Sequence, residues 1–171
     1  MEADSVDRIV AAWHTSDPDL DSRTLEVIGR LLLCAGYFER AAGSALQHFE
    51  LTIADFDVLN TLRRIGDRRG SKPSDLARYS LITTGAMTSR LDRLEQAGLI
   101  RRGLDPDDRR GVLVTLTPQG TRLARRALHE LISTNETFLE PLNGQQRAAL
   151  ASALRLLLLH HEPVDETGNG E

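Results

Sequence analysis

Apolar residues recur at helical spacing along most of this chain, and the pattern gives way once to strand-like alternation. Val6, Ile9, Val10 and Trp13 share one face of a first predicted helix, residues 3–14. A polar break at 15–19, with Pro18, precedes a long helix over about 20–48. Its apolar stripe is Leu25, Ile28, Leu32, Ala35, Phe38 and Ala42. Thr52 then caps a helix reaching about Ile65, and Asp55 completes a capping box with Asp in place of Glu. A charged turn at 66–70 leads to Pro73, which opens a short helix over 73–79. A tight turn at 80–83 joins it to a helix over 84–97, and Gly98 is a good stop. Residues 99–102 and 112–116 read as two strands around an Asp/Arg-rich turn. Thr117-Pro118 opens a helix over 118–139, since Thr caps well and Pro is tolerated at the first helical position. Pro141 and Gly144 separate it from a last helix over 145–161, which carries Leu150, Leu154, Leu157 and Leu158. The tail 163–171 reads as disordered. The predicted class is mainly α with a small β-hairpin.

Length and charge sharpen this picture. A chain of 171 residues suits one domain, or one domain with added dimerisation helices. Hydrophobic content of 40% is enough for a core, and 4% aromatics make it mostly aliphatic. No apolar run reaches the roughly 18 residues of a membrane span. The acidic start, MEADSVDR, does not resemble a signal peptide, so a cytoplasmic protein is expected. A single cysteine, Cys34, excludes an intrachain disulfide framework. The net charge of −4 conceals a division along the chain. Residues 63–126 hold 15 basic and 7 acidic side chains, a balance of +8, and the remainder carries 6 basic and 18 acidic. The positive charge is concentrated where an electrostatic footprint on DNA would place it.

The helix over 84–97 supports that expectation. At about 100° per residue, Met87, Leu91 and Leu94 form its core face. Gly85, Ser89, Asp92 and Arg93 lie opposite, with Ala86 beside them. A small, polar outer face lets a helix enter the major groove, where Ser and Arg meet base edges or phosphates. Thr84 and Thr88 lie toward its start, suited to phosphate contacts. Arg90 falls on the flank between core and solvent, placed to pair inside the protein. Arg109 and Arg110 occupy the hairpin tip, and arginine suits the narrow, electronegative minor groove. Asp108 is placed to steady Arg110 by an ion pair. Helix and hairpin together read as the recognition helix and wing of a winged helix-turn-helix, residues 49–120. Helices within 1–48 and 121–162 flank it.

The stretches LTIADFDVL, TTGAMTSRLDRLEQAGLI and DPDDRRGVLVTLTPQG resemble the MarR family of bacterial transcription regulators. The resemblance covers about residues 51–120. It implies a homodimer whose terminal helices interleave and whose wings and recognition helices engage a palindromic operator in double-stranded DNA. By the same resemblance Asp108 and Arg110 take the family's D-x-R wing positions, with Arg110 entering the minor groove. A narrower resemblance is to the urate-responsive branch, which adds a helix before the first long one. Trp13, Asp57 and Arg90 fit that branch's ligand-binding Trp, Asp and Arg. They imply an effector that is a planar anion such as urate or a related purine.

Other constellations carry less. Cys34 does not match the peroxide-sensing cysteine of some relatives and reads as a small buried apolar residue, with a redox sensor as the alternative. His160 and His161 are expected on different helix faces, and with His129 they make no zinc pattern. The sequence shows no nucleophile motif and no Gly-rich phosphate loop, so no enzyme, metal or cofactor is expected. The expected function is a ligand-responsive repressor released from its operator by a small anionic or aromatic molecule. A ligand-independent DNA-binding or protein-interaction module on the same fold is the alternative.

Overall fold

The computed structural model describes residues 2–66, 69–80, 87–108 and 111–162. Among these, seven helices and one hairpin follow in order. They are α1 (Ser5–Ser16), α2 (Arg23–Gln47), α3 (Ile53–Ile65), α4 (Pro73–Tyr79), α5 (Met87–Gln96), β1 (Ile100–Leu104), β2 (Val112–Leu116), α6 (Pro118–Leu139) and α7 (Gly144–His161). The chain divides into two compact units, Met1–Asn135 and Glu136–Glu171. Every predicted element is present, with ends displaced by a few residues. The tail from 163 lies outside the described residues.

Local chemistry fixes the ends. Thr52 accepts from the Asp55 N–H while Asp55 accepts from the Thr52 N–H, the capping box expected for α3. Gly66, at φ +67°, ends that helix in the left-handed region that glycine tolerates. Pro73 stands in the first turn of α4. The Thr117 hydroxyl accepts from the Gly120 N–H at 3.0 Å and donates to the Gly98 carbonyl at 2.7 Å. One side chain thereby starts α6 and ties it to the α5–β1 corner.

The core of the first unit lies under the hairpin. Leu46, Phe56, Val58, Leu59, Leu62, Leu76, Leu91, Leu94, Leu99, Ile100 and Val114 are buried there with Ala124 and Ala127 of α6. β1 and β2 pair antiparallel with Ile100 opposite Leu116 and Arg102 opposite Val114. Ser71 adds a bridge on the other side of β2, exchanging two 2.9 Å hydrogen bonds with Val114. α1 is docked on α2 by Val6 against Gly29 and by Arg30, which reaches Asp4 at 2.8 Å and Asp7 at 2.6 Å.

One expectation needs correction, that of a buried Cys34. The α2 stripe is covered only toward the C-terminal end of the helix. Ala42 is buried, but Ile28 and Leu32 are exposed, because in the single chain no described element covers that stretch. Cys34 is exposed for the same reason, not buried. The rings of His160 and His161, neighbours on α7, meet edge to face with their centroids 4.9 Å apart. In the second unit, α7 has an Asn143–Gln146 capping box, yet buries none of its residues.

Among the described glycines, Gly120 leaves the least room for a side chain. A Cβ there would overlap the Leu99 carbonyl, which is backbone and cannot swing aside. Gly120→Ala is expected to lower unfolding free energy by about 1–3 kcal/mol, the usual cost of overpacking. Urea denaturation of the two proteins measures it, and an unchanged midpoint refutes the tight approach.

Candidate nucleic-acid interface

The α3–α4 pair and the hairpin set the position of α5. Leu91 and Leu94 of α5 are buried and Met87 packs on the same core, the face expected from the sequence. Thr88, Ser89 and Arg93 are exposed, while Arg90 is half-buried. Thr84 and Gly85, expected to begin this helix, lie outside the described residues, as do Arg109 and Arg110 at the hairpin tip.

Two ion-pair systems fix α5 from either side. Arg93 reaches across to α3, where its guanidinium meets the Asp55 carboxylate and lies 3.3 Å from the Thr52 hydroxyl. Asp55 is 2% exposed and Arg93 55%, so one carboxylate both caps α3 and holds α5. On the far side, Arg102 of β1 binds Asp92 at 2.6 Å and Glu95 at 3.1 Å. The Arg102 N–H also donates to Glu95 at 2.9 Å. Sequence reasoning missed Arg102, although strand parity offered a signal: adjacent residues of a strand point to opposite faces.

The hairpin is anchored at its turn. Asp105 is buried, accepts from the Asp107 N–H at 3.0 Å and lies 3.4 Å from the Lys72 ammonium. The Asp107 N–H and then Lys72 hold its carboxyl below the ordinary value, against the opposing effect of burial. Lys72 also lies 3.9 Å from Asp108. Asp108 therefore faces a lysine; its expected partner Arg110 is outside the described residues.

The expected ligand residues are dispersed over three helices. Trp13 of α1 is 45% exposed, Asp57 of α3 is buried, and Arg90 of α5 keeps its Nη1 buried without a hydrogen-bond partner among the described residues. A groove of about 840 Å³ runs between α2 and the start of α3, lined by Ala35, Phe38, Gly43, Leu51 and Ile53 among others; Trp13 does not line it.

This geometry, a hairpin clamped by Arg102 to a helix with a small polar outer face, matches known proteins. The MarR family profile matches residues 51–112. The HTH-type transcriptional regulator PecS of Dickeya dadantii (strain 3937) is 36% identical over 149 residues, 87% of this chain and 90% of PecS. The chain belongs to the MarR family. Among solved structures, an E. coli MarR mutant complexed with operator DNA superposes with a TM-score of 0.70 at 27% identity, over 82% of this chain and 99% of that one. Bordetella bronchiseptica BpsR, whose DNA binding is regulated by 6-hydroxynicotinic acid, gives a TM-score of 0.68 at 28% identity, over 76% and 91% of the two chains. The fold is thus the winged helix of MarR-family regulators, and the protein is a DNA-binding transcriptional regulator. No described helix is long and apolar enough to cross a membrane.

In this MarR-family regulator Arg93 has a structural task alongside any contact with DNA. Arg93→Ala removes a charge-assisted bond from a buried carboxylate and is expected to cost about 1–2 kcal/mol. Asp55→Ala, which also loses the cap, costs more. A double-mutant cycle by thermal unfolding reads the coupling, and additive losses would show that Arg93 and Asp55 do not depend on each other.

Proposed function

We propose that the protein is a ligand-responsive repressor that holds a palindromic operator as a homodimer and is released by a small planar anion. Thr84, Gly85, Thr88, Ser89 and Arg93 face the major groove. Arg109 and Arg110 reach the flanking minor groove, with Asp108 orienting the tip. Trp13, Asp57 and Arg90 receive the effector, urate or a related purine being the leading chemistry. The dimer reading draws support from the leucines of α7 and from the exposed Val27, Ile28, Leu31 and Leu32 of α2, apolar surface that a second copy would cover.

One observation carries the ligand part. The Nη1 of Arg90, buried and without a hydrogen-bond partner among the described residues, lies on the recognition helix itself. A buried cationic donor without an acceptor is costly, and an anion supplies the acceptor. An effector bound there acts on the helix that touches DNA, and lowers affinity by as much as it prefers the released conformation.

The test is binding of the protein to its own upstream DNA, titrated with urate, other purines, phenolic acids and 6-hydroxynicotinic acid. Release by a purine or another planar anion is expected. Asp57→Ala and Arg90→Ala should each weaken that release at least several-fold. A normal response in both variants, or no release by any compound, overturns the pocket.

The wing contact is tested separately. Arg110→Ala is expected to weaken binding and to lower the salt slope by about 0.9, the value for one lost phosphate contact. An unchanged affinity and slope would remove Arg110 from the interface.

A further inference from the structure

Arg101 and Arg102 of β1 point to opposite faces of the hairpin, and among the described residues only Arg102 has a partner of opposite charge. Arg102 faces inward, bound to Asp92 and Glu95. Arg101 faces outward beside Thr115, whose hydroxyl accepts from its Nε at 3.1 Å. Among the described residues no carboxylate lies within ion-pair distance of Arg101, although the hairpin turn alone carries three aspartates.

Arg69 approaches the same face from the segment that bridges β2. Arg69, Arg101, Gly103, Leu113 and Thr115 line a hollow of about 340 Å³ there. Arg69 lies 3.4 Å from Asp107, and both side chains are about three-quarters exposed, so that pair is weak and readily exchanged. Gly103 keeps the floor open: a Cβ there would meet nothing within 4 Å. The hollow thus offers two guanidinium groups and a hydroxyl. Among the described residues the Arg101 charge meets no carboxylate, and the opposite face of the hairpin carries the core contact and the clamp on α5. Paired guanidinium groups around an open floor match the charge and fork geometry of a phosphate.

We infer that Arg101 and Arg69, flanking Gly103 and Thr115, seat a backbone phosphate of duplex DNA on the outer face of the hairpin. The inference rests on the DNA-binding reading and extends the contact surface beyond the recognition helix and wing tip. A phosphate contact carries no sequence information, so the seat adds affinity and register without altering base preference.

The experiment compares wild type, Arg101→Gln, Arg101→Lys and Gly103→Glu on a duplex of about 40 base pairs selected by the wild-type protein from a random pool. Fluorescence anisotropy across a chloride series gives affinity and salt slope. Arg101→Gln is expected to lower affinity about 5–10-fold and the slope by about 0.9. Arg101→Lys should retain the slope. Gly103→Glu, which places a carboxylate in open space, should weaken binding at least as much as Arg101→Gln while melting like wild type. Base preference in all three should match wild type.

If wild type binds with salt-dependent affinity and neither Arg101→Gln nor Gly103→Glu changes it, the seat is refuted while DNA binding stands. If wild type selects no duplex, both readings fall. Titration of inorganic phosphate into DNA-free protein separates the remaining source. Binding that Gly103→Glu abolishes, with the DNA slope unchanged, would make this a free-anion site and overturn the assignment to DNA.

Discussion

One buried carboxylate organises the DNA-binding half of this protein. Asp55 completes the cap of α3 with Thr52, and the same group receives Arg93 from α5. A helix start and a helix-to-helix contact therefore share a single charge. Because Asp55 is almost wholly buried, that charge cannot fall back on water when a partner leaves, so disturbance at one end is felt at the other. The angle of the recognition helix is set by this pair on one side and by the Arg102 clamp on the other. The hydrophobic core beneath holds the helix in place but leaves its pitch to these polar contacts.

This arrangement fits the ligand response proposed above. Under that proposal the recognition helix is held firmly enough to discriminate operators, yet shifts when an effector binds. Firmness comes here from ion pairs at the flanks of α5, which can be redistributed without unpacking Leu91 and Leu94. Arg90 is the one member of this cationic set with a buried nitrogen lacking an acceptor among the described residues.

Much of the fold was legible in the sequence because its signals are local. Thr52 and Asp55 are three residues apart, Thr117 caps its own helix, and Gly98 closes the turn into β1. Such features need only neighbouring residues and survive any tertiary context. The core face of α5 was equally readable from its period. What was not legible depended on distant partners. Arg93 meets a residue 38 positions away, so its wheel position showed it as outward-facing without showing what holds it. Cys34, set among apolar neighbours, reads as buried, yet among the described residues nothing lies over it, Ile28 or Leu32. Lys72, brought in by the bridge at Ser71, lies beside Asp108 in space, a proximity that the order of residues does not announce.

The Lys72 contact has a practical side. Lys72 is the sole lysine of the chain, and its ammonium sits beside Asp105 and Asp108 at the turn of the hairpin. Every other basic side chain in the DNA-binding half is an arginine, inert to ordinary amine chemistry. Any reagent or enzyme that acylates lysine side chains therefore meets a single target, at the joint between the hairpin and α4. Neutralising it leaves the nearly buried Asp105 carboxylate without its cation. Once the α-amine is blocked, a fluorophore or crosslinker attached there would report on, or fix, the hairpin alone, with no need for an engineered cysteine.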